Sequence, residues 1–183
     1  MNLDYHVAVV GAGVVGLAAA ARLARPDRPL LLLERHDGIC RETSSRNSEV
    51  VHAGLYYPPR SLKGRLCLRG RALLAERCGR LGIAAPVPGK LILAIDPEEL
   101  PALEALAARA TANGVEGLEL LEEGALAARF PGTPGLLALW SPRSGIVDSH
   151  AYAASFEAEA RAAGADVLFR SEVLATEPVP GGH

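Results

Sequence analysis

The 183-residue sequence has few aromatic side chains and no long run of basic residues. Phe, Trp and Tyr together make up 4% of the chain, and the formal net charge is −2 at pH 7. Nucleic-acid-binding proteins usually carry a basic patch, and those that bind single strands add aromatic side chains for base stacking. We therefore expect no nucleic-acid partner.

Cysteine is also scarce, with Cys40, Cys67 and Cys78 as the only three. Their number is odd and no two have the C-x-x-C spacing, which disfavours both a disulfide framework and a zinc site. Unpaired thiols are typical of reducing compartments. On this ground we expect inert buried thiols, no metal site and a cytoplasmic location.

Long apolar runs are missing as well. The uncharged stretch 7–21 has 15 residues, whereas a helix that crosses a bilayer needs about 20. Asp4 precedes this stretch and no Lys or Arg does, so the positively charged start of a signal peptide is absent. We expect no integral membrane segment and interpret the stretch as a buried strand followed by a buried helix.

Apolar residues make up 49% of the chain and charged residues 22%, which is typical of a globular protein. The hydrophobic patterns predict an α/β fold. Predicted strands cover 6–10, 30–33, 90–95, 118–121, 136–140, 167–170 and 173–176. Predicted helices cover 17–25, 62–80, 97–114, 122–129 and 148–163, and a turn is predicted at 178–182.

A glycine motif, Gly-x-Gly-x-x-Gly at 11–16, directly follows the first predicted strand. In dinucleotide-binding β-α-β units the first glycine, here Gly11, permits a tight turn. The second, Gly13, lets the backbone approach a pyrophosphate, and the third, Gly16, lets helix and strand pack closely. Glu34 ends the next strand, 18 residues past Gly16. A carboxylate near this spacing accepts hydrogen bonds from ribose hydroxyls, so the sequence predicts a dinucleotide site.

The phosphates of that dinucleotide are expected at the start of the helix. The backbone N–H groups at Val14 and Val15 lie in the glycine motif that opens the helix, where unpaired N–H groups and the helix dipole favour an anion. A glycine turn that merely joins a strand to a helix is the structural alternative.

The identity of the dinucleotide depends on the residues after the second strand. Glu34 would repel a 2′-phosphate, which disfavours NADP, although the adjacent Arg35 leaves that possibility open. NAD and FAD share the β-α-β unit. The loop 41–48 offers hydroxyls, an amide and arginines, which suit a pyrophosphate and a flavin edge. We therefore predict FAD, with NAD as the weaker alternative.

Four segments carry a resemblance to a known family: VAVVGAGVVGLAAAARLA at 7–24, ETSSRNSEVVHAGLYYPP at 42–59, GKLILA at 89–94 and GIVDSHAY at 145–152. The sequence resembles the FAD-dependent oxidoreductases of the D-amino-acid-oxidase-like superfamily, and within it the L-2-hydroxyglutarate dehydrogenases and oxidases. The likeness covers nearly the whole chain. The segment at 42–59 is its specific part, because the glycine motif is shared more widely.

The resemblance implies a Rossmann-like FAD-binding domain with part of a second, sheet-containing substrate domain. Residues 1–82 and 143–183 are expected to form the first, and residues 83–142 the second. The implied reaction oxidises a 2-hydroxy acid to a 2-oxo acid, with a hydride passing to the flavin and the hydroxyl proton to a base. The electron acceptor stays open. A non-catalytic dinucleotide-binding subunit, an amino-acid oxidase and an NAD-dependent dehydrogenase are the alternatives.

Members of this family are about twice as long as this chain. We therefore expect an incomplete substrate pocket, exposed apolar surface, and self-association or a second chain that supplies the remainder. Negligible turnover by the isolated chain follows from the same expectation.

The resemblance also assigns roles to individual residues. Gly11, Gly13, Gly16 and Glu34 match positions that bind the ADP part of the cofactor. Thr43, Ser44, Arg46 and Asn47 match the loop that runs along the cofactor. Val173 matches the strand whose backbone meets the adenine. His52 matches a histidine near the flavin ring, which carries a covalent flavin in some relatives.

Several of these residues also have purely structural interpretations. His52 could instead be a half-buried structural histidine. Tyr56 and Tyr57 could face substrate or pack in the interior, and Arg60 and Lys63 could receive a substrate carboxylate or be solvated. Asp148 precedes a predicted helix, where capping is its expected role.

Overall fold

The computed structural model describes residues 5–178, which fall into two compact units. The first unit consists of the described parts of Met1–Ser48 and Asp148–His183, and the second is Glu49–Val147. The strands are β1 (Val7–Val10), β2 (Leu30–Leu33), β3 (Val50–Val51), β4 (Lys90–Ala94), β5 (Glu119–Glu122), β6 (Leu137–Ser141), β7 (Gly145–Ile146) and β8 (Ala165–Leu168). The helices are α1 (Val14–Leu23), α2 (Leu62–Leu81), α3 (Leu100–Ala112), α4 (Glu123–Arg129) and α5 (Ser149–Ala162), with 3-10 turns at Thr43–Ser45 and Pro97–Glu99.

The first unit contains a parallel sheet in the order β1-β2-β8. Its central strand is four consecutive leucines, of which Leu30 and Leu32 are completely buried, as expected for a strand covered on its faces. Helices α1 and α5 pack against each other. Ala20 and Ala160 in these helices are fully buried, and their small side chains allow the two backbones to lie close together.

The second unit contains an antiparallel sheet in the order β4-β6-β5 and a short β3-β7 pair. Helix α3 packs on the larger sheet through Leu103 and Ala107, which contact the buried Leu139. Helix α2 begins at an N-cap, since the Ser61 hydroxyl accepts a hydrogen bond from the Gly64 N–H at 3.1 Å. It ends at Gly82, whose φ of +68° is the left-handed conformation typical of a helix C-terminus.

Most of the predicted elements are present. The strand at 30–33 matches β2, and Asp148 caps α5 by accepting the Ala151 N–H at 2.8 Å. The predicted strand at 173–176 is wrong: no strand is assigned between residues 171 and 178. Hydrogen bonding explains the difference, because the bonds that leave the end of β8 run from Arg170 N–H to His36 C=O and from Ser171 N–H to Glu34 C=O. Of the predicted turn at 178–182, only Pro178 lies within the described residues.

The compact units are divided at 48/49 and 147/148, whereas the boundaries expected from the resemblance were 82/83 and 142/143. Helix α2 belongs to the second unit because Leu68 packs against the buried Leu55, Ala110 and Val115. The Asn113 side chain adds a polar link, since its Nδ2 donates to the carbonyl oxygens of Gly54 and Tyr57 at 3.1 and 2.8 Å. These contacts are between segments distant in sequence, which a pattern along the chain does not reveal.

Across residues 5–178, none of the helices combines the length and the apolar character needed to cross a membrane.

Candidate functional site

A pocket of about 420 Å³ lies in the first unit, where β1 and β2 end at Val10 and Leu33. In parallel α/β sheets this edge is the usual place for a ligand. Three segments line it: the turn after β1, the chain from β2 to Ser44, and the residues after β8. The lining residues are Val10, Gly11, Gly13, Leu33, Glu34, Arg35, His36, Cys40, Arg41, Glu42, Thr43, Ser44, Ser171, Glu172 and Val173.

The glycine turn leaves space for a ligand at the start of α1. Gly11 has a φ of +97°, and its N–H donates to the Leu33 carbonyl at 2.8 Å. A side-chain carbon at Gly11 would meet nothing within 4 Å, so this side of the turn is open. Gly13 is the N-cap of α1 and supplies no side-chain cap. A pyrophosphate fits this arrangement, since the first N–H groups of a helix have no partner inside it.

Gly16 has the packing role that the motif predicts. A side-chain carbon at this position would stand 2.0 Å from the Gly11 carbonyl oxygen and 3.1 Å from the carbonyl carbon. Both are backbone atoms and cannot swing aside. The close approach of α1 to the turn therefore depends on a missing side chain at residue 16.

Glu34 is buried, with 7% of its surface exposed, and its carboxylate holds the turn in place. One carboxylate oxygen accepts the Ala12 N–H at 2.7 Å, and the other accepts the His36 N–H at 2.8 Å. A carboxylate oxygen can accept more than one hydrogen bond. Glu34 can therefore organise the backbone of the turn and still accept a bond from a ribose hydroxyl.

The hydroxyl-rich loop is tied to the start of α1. The Ser44 hydroxyl accepts the Val14 N–H at 3.1 Å, and the Asn47 amide nitrogen donates to the Ser44 carbonyl at 2.9 Å. Thr43 lines the pocket beside Ser44. The loop thus forms one side of the pocket, and the Asn47 side chain stabilises it through the bond to the Ser44 carbonyl.

The pocket rim carries a charged cluster that sequence reasoning missed, apart from Arg35. The Glu42 carboxylate pairs with the Arg35 guanidinium and with His36 Nε2, the latter at 2.9 Å. The hydrogen bonds from His36 and Arg35 lower the pKa of Glu42. Because Arg35 is engaged by Glu42, its charge is less available to a 2′-phosphate, which is in line with the expectation that NADP is disfavoured. Glu42 lies in the loop 41–48 that the sequence singled out, so its loop could be identified while its partners could not.

Cys40 is another lining residue that the sequence did not place in the site. It is 4% exposed, has a φ of +56°, and its N–H donates to the Ala12 carbonyl at 3.0 Å. Burial raises the pKa of its thiol, so the side chain is neutral at pH 7. It therefore contributes an uncharged surface to the pocket.

The predicted site residues are distributed unevenly around this pocket. Seven of them line it: Gly11, Gly13, Glu34, Arg35, Thr43, Ser44 and Val173. Val173 does so although it belongs to no strand, because the Ser171 N–H bonds to the Glu34 carbonyl at 2.8 Å. Val14, Val15, Gly16, Arg46 and Asn47 stand outside the lining, in α1 or in the loop. His52 belongs to the second unit.

His52 is exposed rather than part of a core. Its ring lies 6.4 Å from the ring of Tyr56 in an edge-on arrangement, and its carbonyl accepts a hydrogen bond from the Cys67 thiol at 3.4 Å. The pKa of His52 is lowered, first by partial burial and then by the positive charges of Lys90 and Lys63. A neutral imidazole with this placement can accept a proton at pH 7.

The pKa of His52, followed by the chemical shift of its ring protons in NMR, should lie below the ordinary histidine value of about 6.5. Replacement of Lys90 by Met should raise the pKa, because it removes a positive charge that disfavours the imidazolium. Lys63→Met is the comparison variant and should raise the pKa of His52 less, because the charge of Lys63 contributes less to the shift than that of Lys90. A His52 pKa above 6.5, or one unaffected by Lys90→Met, would contradict this account of the imidazole.

The chain is similar to curated L-2-hydroxyglutarate dehydrogenases. It is 39% identical to the human enzyme over 176 residues, which are 95% of this chain and 38% of the human protein. It is 46% identical to the Arabidopsis thaliana enzyme over 144 residues, which are 79% of this chain and 30% of that protein. The chain thus spans less than half the length of these relatives.

Solved structures share the fold. The L-alpha-glycerophosphate oxidase of Mycoplasma pneumoniae, determined with FAD bound, superposes with a TM-score of 0.85 at 24% identity, and the match covers 93% of this chain and 46% of that chain. At this identity the likeness establishes the fold alone. It confirms the predicted α/β architecture with a Rossmann-like unit and a second sheet.

The predicted cytoplasmic location is wrong. The human and Arabidopsis thaliana dehydrogenases to which the chain is similar are both named as mitochondrial. The prediction rested on three unpaired cysteines. Free thiols distinguish reducing from oxidising surroundings, and they do not distinguish one reducing compartment from another.

The family match covers residues 6–183 and carries the description "FAD dependent oxidoreductase", abbreviated DAO. It includes the glycine turn, Glu34 and the loop that form the pocket. The predictions of an FAD-dependent oxidoreductase and of its likeness to the L-2-hydroxyglutarate dehydrogenases are confirmed. The chain belongs to the DAO family of FAD-dependent oxidoreductases.

Proposed function

We propose that this chain supplies the FAD site and part of the substrate site of an enzyme that oxidises L-2-hydroxyglutarate, or a closely similar 2-hydroxy acid, to the 2-oxo acid. The observation that carries the proposal is the 39–46% identity to dehydrogenases of this substrate. The pocket of the first unit supports it with a glycine turn, a buried carboxylate and a hydroxyl loop arranged around the start of α1.

The residues of the first unit would hold the cofactor. The open side of Gly11, the Gly13 backbone and the first N–H groups of α1 would receive the pyrophosphate. Glu34 would accept a ribose hydroxyl, Ser44 and Thr43 would line the phosphates, and Val173 would lie at the adenine end. When bound, FAD supplies the hydride acceptor of the reaction.

His52 would take the proton of the substrate hydroxyl at an imidazole nitrogen. The lowered pKa of His52 keeps that nitrogen free to accept a proton near neutral pH. Loss of a hydride from carbon and a proton from oxygen converts the secondary alcohol of the substrate into a ketone. Reoxidation of the reduced cofactor requires an electron acceptor, and an artificial dye can serve as this acceptor in an assay.

A chimaera tests the proposal. Residues 6–178 would replace the matching segment of the human dehydrogenase, and oxidation of L-2-hydroxyglutarate would be followed by reduction of a dye. We expect turnover of the L-enantiomer and little turnover of the D-enantiomer. A chimaera that contains FAD and oxidises glycine or glycerol 3-phosphate in place of L-2-hydroxyglutarate would contradict the proposal.

The isolated 183-residue chain is expected to self-associate. Leu62, Leu66 and Leu73 on α2 are 66%, 55% and 52% exposed, and their spacing places them along one face of the helix. Exposed apolar patches of this kind promote association. Sedimentation velocity should show species larger than a monomer, and the double substitution Leu66→Gln and Leu73→Gln should reduce them. A monomeric parent chain at tens of micromolar would contradict the expectation.

A further inference from the structure

The two lysines of the chain lie in the same part of the second unit, beside the two tyrosines that follow His52. All other basic residues, apart from histidines, are arginines. The Lys63 ammonium lies 5.0 Å from the centre of the Tyr57 ring, and the Lys90 ammonium lies 5.0 Å from the centre of the Tyr56 ring. Lys90 Nζ also donates to the Tyr56 hydroxyl at 2.8 Å.

The backbone on both sides of the Lys90–Tyr56 pair is fixed. The buried Leu55 and the Asn113 amide, which donates to the carbonyls of Gly54 and Tyr57, hold the tyrosine segment. Lys90 is the first residue of β4 and pairs in register with Ser141, which is completely buried. A fixed backbone, together with the bond from Lys90 Nζ to the Tyr56 hydroxyl, reduces the side-chain freedom that is lost when a ligand binds.

The pair offers hydrogen-bond donors that an anion can use. An ammonium has three N–H groups, and the bond to Tyr56 engages one of them. Because the Tyr56 oxygen accepts that bond, its own O–H remains a donor for another group. Within residues 5–178, neither lysine takes part in a salt bridge. The positive charges also reach His52, whose pKa they help to lower.

We propose that Lys90 and Tyr56 form a carboxylate-binding site that receives one carboxylate of a small dicarboxylate substrate. The inference rests on the proposed function, since L-2-hydroxyglutarate carries two carboxylates and the edge-on ring of Tyr56 places the pair next to His52. Lys90 supplies a compact charge and the Tyr56 hydroxyl a directional donor. Lys63, which lies over a ring face and has no hydroxyl partner among the described contacts, has a lesser role.

NMR of the 183-residue chain labelled with ¹³Cε-lysine tests this site directly, because only two lysine side chains give signals. Glutarate is the probe, and glutaramide and sodium chloride at equal ionic strength are the controls. We expect glutarate to shift the Lys90 signal in a saturable way and to shift the Lys63 signal less. Neither control should reproduce the saturable shift.

Variants give the size of the effect. Lys90→Met keeps the aliphatic stem and should weaken glutarate binding by about 10-fold or more, the range of a hydrogen bond to a charged group. Tyr56→Phe should weaken it by roughly 3- to 10-fold, and Lys63→Met by less. For Lys90→Met, the Lys63 signal reports any residual binding, and circular dichroism verifies that each variant is folded. Equal glutarate affinity in the parent and in folded Lys90→Met would overturn the site, as would a Lys90 signal that glutarate leaves in place.

The outcome separates this site from the proposed reaction. Glutarate binding at Lys90, together with a chimaera that oxidises another substrate, would support the carboxylate site and contradict the proposed reaction. Oxidation of L-2-hydroxyglutarate with an unchanged KM in the Lys90→Met chimaera would contradict the carboxylate site and support the proposed reaction.

Discussion

Gly16→Ala should destabilise the first unit by at least about 3 kcal/mol, at the upper end for overpacking of a close-packed site. The added carbon would stand 2.0 Å from the Gly11 carbonyl oxygen, so α1 must move away from the turn. That movement also displaces the helix N-terminus from the phosphate position. We therefore expect the variant to lose FAD binding as well. Quenching of flavin fluorescence measures this binding.

Gly70→Ala is the matched control, because the same atom is added to a glycine in a helix interior. A side-chain carbon at Gly70 would meet nothing within 4 Å. Alanine is favoured over glycine in helices by about 1 kcal/mol, so this variant should be slightly more stable than the parent and should bind FAD equally well. A Gly16→Ala protein with the denaturant midpoint and FAD affinity of the parent would show that α1 does not lie this close to the turn.

Glu34→Ala should have the second-largest effect, since it removes two kinds of interaction. The N–H groups of Ala12 and His36 lose their acceptor, and Ala12 is completely buried. An unsatisfied buried donor costs about 1–3 kcal/mol of stability. Loss of a hydrogen bond between a ribose hydroxyl and a charged group should further weaken FAD binding by roughly 10- to 100-fold.

Glu34→Gln separates the two contributions. Its amide oxygen can still accept one N–H, while its NH₂ group faces the other donor, so stability should lie between those of the parent and of Glu34→Ala. The exposed Glu104 in α3 is the control, and Glu104→Ala should change neither stability nor FAD affinity measurably. Equal FAD dissociation constants for the parent and Glu34→Ala would indicate that Glu34 only supports the turn.

The β1-turn-α1-β2 part of the site could be predicted from the sequence because its signals are local. Three glycines at fixed spacing, a leucine strand and a carboxylate at its end lie within residues 6–34 and fold against each other. The hydroxyl loop was identifiable for the same reason, since Thr43 and Ser44 follow the second strand at short range.

The rest depends on contacts between distant segments. Val173 lines the pocket because the chain after β8 bonds to residues 34 and 36, and a β-type pattern suggested a strand in its place. The grouping of Glu42 with Arg35 and His36 needs the fold of the loop. The lysines could be counted in the sequence, but their position beside Tyr56 and Tyr57 is a property of tertiary structure.

We expect the pocket of the first unit to bind the adenosine diphosphate half of FAD. Competition at equilibrium tests it most directly: the 183-residue chain is loaded with FAD, and release of flavin is followed by fluorescence while ADP, FMN or NADP is added. The account predicts that ADP displaces FAD, that FMN does so only weakly, and that NADP is no better than ADP because Glu34 opposes the 2′-phosphate. Displacement by FMN in preference to ADP would contradict it.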